Sequence, residues 1–314
     1  DCLHEHELAL ALAREAGSAE AEIAAIGGLG DAAYAQGRVR SGHAMFSRCV
    51  AMARERGFLR VEVSYVPMVA WCALYLLDLE QATELNRSAM ALALRTGNQR
   101  VQMMSGAQAA MLDGWIRGNW QAAIPLADHA YQMAVQAGST RFQSMAMYIR
   151  ALLDIRAGDL PAAKALLERA LEQCGEGSMA FLGPQLYGSL ARVQTDPALR
   201  AGMLARGEAT LVRGAVSHNY FVFCDAAIQV SLDTRNWSEV QRFCDKLESY
   251  AQQEPFPWSD FIVARGRALS RTGRGESGPA LVAELQRLRT VAEGSSGSLY
   301  LADINAALQG LASG

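Results

Sequence analysis

"LALAREAGSAEAE" at residues 10–22 is echoed by "VAMARERGFLRVE" (50–62), "MALALRTGNQRVQ" (90–102) and "YQMAVQAGSTRFQ" (131–143). Each phrase passes from helix-forming residues through one glycine into a second run of helix formers. The glycines, Gly17, Gly57, Gly97 and Gly138, follow one another at intervals of 40, 40 and 41 residues. A fixed period of this size marks stacked supersecondary units. Alanine stands four residues before each glycine (Ala13, Ala53, Ala93, Ala134), and Glu22, Glu62, Gln102 or Gln143 stands five after it. Glycine suits the place because a left-handed residue closes the last turn of a helix, and glycine does so without a Cβ clash.

A second set of breaks falls midway: "YAQGRV" around Gly37, "LLDLEQA" around Asp78, "IRGNWQAA" around Gly118, "RAGDLPAA" around Gly158 and "TRNWSEV" around Asn236. Each unit is therefore a hairpin of two helices. Second helices carry Gly42/Phe46/Cys49, Ala82/Asn86/Ala89, Ala123/Ala127/Ala130 and Ala163/Leu167/Ala170, an i, i+4, i+7 stripe of mostly small residues that lets the partner helix approach closely. First helices carry Ile26/Leu29/Gly30 and Val66/Val69/Ala70 at the matching places.

This pattern, small and large residues at fixed offsets after a G-[DNR]-[LWV] turn, resembles the tetratricopeptide repeat, lengthened here to about 40 residues. More narrowly, "GGLGDAAYAQGRVRSGHAMFSRCVAMAR" (27–54), "RGAVSHNYFVFCDAAIQVSLDTRNWSEVQRFCDKLESY" (213–250) and "PFPWSDFIVARGRAL" (255–269) are similar to the C-terminal arrays of bacterial multidomain class III adenylate/guanylate cyclases that also carry an ATP-binding module. The resemblance spans nearly the whole chain. It implies catalytic and nucleotide-binding domains upstream of these residues and none within them. The sequence opens without methionine, on an amphipathic helix at 3–16 that stands where the second helix of a pair would stand. We therefore expect a piece of a longer polypeptide.

The expected fold is all-α: one α-solenoid over 1–314, about seven antiparallel hairpins in a right-handed superhelix, shaped as a curved rod. Residues 1–17 form an incomplete first repeat. The period loosens after residue 175, where "CGEGSMAFLGPQLYGSL" mixes Gly and Pro into the next hairpin. "GSSGS" (294–298) is read as a flexible turn before a capping helix at 299–311.

Composition agrees with this reading. Of 314 residues only 8 are proline and 7% aromatic, and runs of Val, Ile and Thr are almost absent. Lys and Arg number 29 against 32 Asp and Glu, with no basic stripe of the kind nucleic-acid binding needs. No apolar run reaches membrane-spanning length. The six cysteines are scattered without a C-x-x-C pair, as expected of reduced thiols in a cytoplasmic protein.

Motifs of chemistry are few. "GGLG" (27–30) has no preceding strand and is read as close helix packing rather than a phosphate loop. Cys2, His4 and His6 crowd one turn, but residues two apart on a helix face different ways and no further ligand cluster follows, so no metal or cofactor is assigned. His218, after Ser217 as N-cap, reads as a helix start with exposed polar side chains, with ligand contact as the competing reading. No nucleophile, base and orienting group come together in sequence, so no catalytic residue is assigned.

What remains is the inner surface. In the tetratricopeptide pattern the first helix of each hairpin lines the concave groove. Aligning the turns puts Asp31, Tyr34, Trp71, Tyr75, Leu112, Trp115, Tyr148 and Ile155 there, while Trp120 and Trp237 fall in turns and Trp258 begins a late helix. Such a surface suits a protein or peptide partner or a small-molecule effector. The function expected is a non-catalytic interaction or sensor module regulating attached cyclase or ATPase domains. Two alternatives stand beside it: the effector-binding region of a bacterial transcription activator, and a ligand-free scaffold that self-associates.

Overall fold

The computed structural model describes residues 2–296 and 299–313, with no strand among them. The chain runs as α1 (Cys2–Glu15), α2 (Ala19–Ala35), α3 (Val39–Arg56), α4 (Leu59–Tyr75), α5 (Leu79–Thr96) and α6 (Gln99–Ala110). It continues as α7 (Trp120–Gln136), α8 (Thr140–Ala157), α9 (Leu160–Val193), α10 (Pro197–Arg213) and α11 (Ser217–Asp233). The last four helices are α12 (Trp237–Ala251), α13 (Pro257–Gly273), α14 (Pro279–Val291) and α15 (Leu301–Ser313). Consecutive helices pack against each other along the whole chain, so the fold is an all-α solenoid.

The repeat signature has a physical counterpart at every position. Gly17, Gly57, Gly97 and Gly138 have φ between 64° and 75°, the left-handed region. The stripe residues of α3, α5, α7 and the first part of α9 are all buried, most of them completely. The polar residue five places after each glycine fastens the turn it follows. Glu22 and Glu62 accept from Arg14 Nε at 3.0 Å and Arg54 Nε at 2.8 Å, each eight residues back. Gln102 and Gln143 instead donate Nε2–H to the carbonyls of Ala93 and Ala134, at 3.1 and 3.3 Å. "GGLG" lies within α2 as close packing: a Cβ on Gly27 would strike the Tyr65 ring, and one on Gly30 the Phe46 ring.

Three places depart from the regular period. Helix α6 runs on into a π-helical turn at Met111–Ile116. Helix α9 is broken at Gly175, whose φ of 56° and ψ of 179° belong to a region open essentially to glycine alone. A second π-helical turn, Ala292–Ser296, takes most of the span read as a flexible turn; residues 297 and 298 lie outside the described residues.

The curvature also goes further than a rod, and that expectation is corrected. The stack bends until α2–α4 meet α11–α13. Tyr75 forms edge contacts with Phe221, Trp258 and Phe256, at ring-centroid distances of 5.0, 5.7 and 6.2 Å. Tyr220 stacks on Tyr250 at 3.9 Å, and the Tyr250 ring lies against Gly37. Polar bonds complete the seam. Arg40 Nε donates to the Pro255 carbonyl at 3.0 Å, and the Ser41 backbone N–H and hydroxyl both donate to the Glu254 carboxylate. Burial of this aromatic surface drives the closure.

Candidate ligand cavity

Because the ends of the curved stack meet, its concave face encloses a cavity of about 330 Å³. Every inner helix contributes a short side-chain row. Asp31 and Tyr34 come from α2, Met68, Trp71 and Tyr75 from α4, and Arg100, Met104 and Gln108 from α6. Arg141, Phe142, Met145 and Tyr148 come from α8 and Phe181 from α9, while His218, Trp258 and Tyr300 close the far side. The lining is predominantly apolar with a few polar groups, the usual make-up of a small-molecule site, and its volume is at the small end of such sites.

Five of the eight residues predicted for the inner face, Asp31, Tyr34, Trp71, Tyr75 and Tyr148, meet in this one cavity. Leu112 does not: it is buried in the core between helices. At helical spacing the inward row of α6, Arg100, Met104 and Gln108, runs on to Met111 and not to Leu112. Met111 stands fourteen residues after Gly97, as Trp71 does after Gly57 and Asp31 after Gly17. Beyond it the wider π-helical turn brings Ile116, five residues on, to the same wall. The side chain of Trp115 lies outside the described residues. Ile155 lines a second, polar cavity of about 210 Å³ with Arg156, Arg192, Asp225, Gln229, Arg265 and Asp303. Tyr300 is a wall of both cavities, and its hydroxyl donates to Asp225 Oδ2 at 3.0 Å.

Sequence reasoning missed the arginines, the methionines and Trp258, and held His218 at a ligand only as the competing reading. A signal for the arginines was present, since the third residue after Gly57, Gly97 and Gly138 is Arg each time. For Trp258 there was none, because its approach to Tyr75 is set by the closure. The actual N-cap is Val216, two residues before His218, and His218 is buried together with Ser217 and Asn219, contrary to the exposed start expected. Pro184 has no N–H to offer the Ala180 carbonyl one turn back. That carbonyl instead accepts from Val216 N at 3.0 Å and Asn219 Nδ2 at 3.2 Å. The Phe181 carbonyl accepts from Asn219 Nδ2 at 3.0 Å and from His218 Nε2 at 2.8 Å. A carbonyl can only accept, so the proton is on Nε2, and Nδ1 is left as a buried acceptor without a partner.

Burial dominates the electrostatics. The phenols of Tyr34, Tyr75 and Tyr148 are pushed up by desolvation and stay protonated. Trp71 Nε1 donates to Tyr34 Oη at 2.6 Å, tying two of the predicted residues together. Asp31 is pushed up to about 6 by burial, with His6 and Arg100 acting against the shift. Burial lowers the Arg141 pKa, and the Arg100 charge lowers it further. Exposed lining residues, Cys2, Ala35, Arg100 and Arg141, mark where the cavity meets solvent. Among the described residues no group of three or more His, Cys, Asp or Glu side chains is placed to hold a metal, and no helix is long and apolar enough to cross a membrane.

Fold and cavity together define a class: a helical solenoid closed round an internal apolar chamber. No protein-family model and no curated protein matches the chain. Among solved structures it is similar to a circular tandem repeat protein with novel repeat topology and enhanced subunit contact surfaces, at 13% identity over 99% of this chain and 88% of that one. The TM-score is 0.24, and the fold assignment rests on the helices themselves.

Proposed function

We propose that this chain is a non-catalytic sensor module that takes a small, largely apolar molecule into the cavity enclosed by its inner helices. The observation that carries the reading is the convergence of Tyr34, Trp71, Tyr75, Met104, Met145 and Tyr148 from four inner helices on one chamber. Closure of the stack favours a small molecule over a protein partner, since the concave face is walled by α11 and α13 rather than open along its length. A ligand that binds one degree of closure better than another shifts the population between them by its difference in affinity. The resemblance of 213–250 and 255–269 to cyclase-associated arrays supports attached cyclase or ATPase domains as the recipients of that shift.

Phenylnaphthylamine, a neutral apolar dye that brightens in dry sites, is the probe. Wild-type protein is expected to bind it, and Met104→Trp or Met145→Trp, which fill the chamber, to weaken binding at least tenfold with an unchanged helical circular-dichroism spectrum. Absence of binding to wild type, or equal binding to both variants, removes the reading. A second reading, self-association, is favoured by Leu8 and Leu12 of α1, which are 47% and 54% exposed. A monomer by light scattering at high concentration removes that one.

A further inference from the structure

Arg100 and Arg141 are the second residues of α6 and α8, neighbouring inner helices, and both line the apolar chamber at its solvent-facing side. A cation in the first turn opposes the positive end of the helix dipole, so helix stability does not account for either. Nor do counter-ions. Among the described residues neither guanidinium forms an ion pair, whereas away from the chamber Arg54, Arg150, Arg242 and Arg267 each hold a carboxylate. Arg141 rests with its guanidinium carbon 3.4 Å from the centroid of the Phe181 ring, which orients it and supplies no negative charge.

The two like charges lie close enough for one to disfavour the other. Asp31 is the sole carboxylate among the described lining residues, and it makes no ion pair with either arginine. The chamber thus combines a positively charged mouth with an apolar body formed by Met104, Met145, Phe142 and Trp71. Unpaired charge is costly in a finished structure and is expected where a ligand completes it.

We infer that the molecule held in the chamber is an amphipathic organic anion, its acidic head clamped by Arg100 and Arg141 and its aromatic or aliphatic body seated among the methionines and aromatics. This rests on the sensor reading above and names its ligand class. Two forked guanidiniums suit an oxyanion head, whose hydrogen bonds are charge-assisted.

The test compares phenylnaphthylamine with its sulfonated relative, anilinonaphthalenesulfonate, by fluorescence titration of the whole chain. The sulfonate is expected to bind wild type at least tenfold more tightly than the neutral dye, with an affinity that falls as salt is raised. Arg100→Gln and Arg141→Gln should each weaken the sulfonate about tenfold and leave the neutral dye within twofold. Arg287→Gln, outside the chamber, should change neither. If both dyes bind wild type equally, or the sulfonate is as tight in the chamber variants as in wild type, the anionic head is refuted while the sensor reading stands. If neither dye binds, both are refuted.

Discussion

His218 shows how far one side chain can be governed by residues distant in sequence. Its polar neighbours Ser217 and Asn219 suggest solvent, yet the Ala180 and Phe181 carbonyls near Pro184 draw His218 and Asn219 inward, and Ser217 between them and Val216 is buried with them. That is why the burial was not legible: the deciding acceptors lie 37–39 residues away. The consequence is a pH dependence. Burial pushes the imidazole down to about 4, with the Phe181 carbonyl opposing and Arg141 assisting. Tyr34, stacked at 6.0 Å, stays protonated throughout. The unfolded chain takes up a proton near pH 6.5 and the folded ring does not, so stability falls as pH drops from about 6.5 towards 4, by up to about 3 kcal/mol. Asp31, raised to about 6, runs the other way and offsets part of the fall. His218→Gln, whose amide can keep the bond to Phe181, should lose less stability than wild type between pH 7.5 and 4.5. Parallel urea-unfolding curves for the two proteins at both pH values would contradict this.

At the scale of the helix, most of the architecture was readable because the determinants are local. A glycine, a buried alanine four residues before it and a clasping Glu or Gln five residues after it specify each turn between hairpins. The same logic covers the turns within hairpins, where Gly37, Gly118 and Gly158 take φ of 78–86°. Two units lack the glycine: Leu77 and Arg235 are forced to φ of 62° and 52°. Arg235 is exposed, so Arg235→Gly removes backbone strain without removing core contacts, and it should stabilise the fold by about 1 kcal/mol. The denaturation midpoint should rise, and a fall would show that the left-handed turn carries no strain. The π-helical turn at Met111–Ile116 was not readable. A one-residue change of register leaves the composition untouched, and here it brings Ile116 to the cavity wall. The inward position expected at Leu112 falls instead on its neighbour Met111, which holds the place fourteen residues after its glycine that Asp31 and Trp71 hold after theirs.

For the molecule as a whole, sequence periodicity encodes contacts between neighbouring units and is silent on contacts between the first units and the last. The stretches "SHNYF" and "PFPWSDF" stood out as unlike ordinary repeat sequence, and they carry His218, Tyr220, Phe221, Phe256 and Trp258, the residues of the seam and the far cavity wall. Their distinctiveness was visible, but their destination was not. Glu254, accepting twice from Ser41, is the polar fastening of that seam. Glu254→Ala should cost about 1–3 kcal/mol and loosen the ring, raising the radius of gyration measured by small-angle X-ray scattering and weakening phenylnaphthylamine binding, with helix content retained. An unchanged radius and unchanged dye affinity would mean that the aromatic contacts hold the closure unaided.

The bond from Arg40 to Pro255 spans 215 residues. On a ribosome adding about 5–20 residues per second, the early helices therefore wait roughly 10 to 40 seconds for their distant counterparts to emerge. Throughout that interval the Tyr75 face is bare and adhesive, so faithful biogenesis of this protein depends on how well a half-made arc is shielded before the circle can be joined.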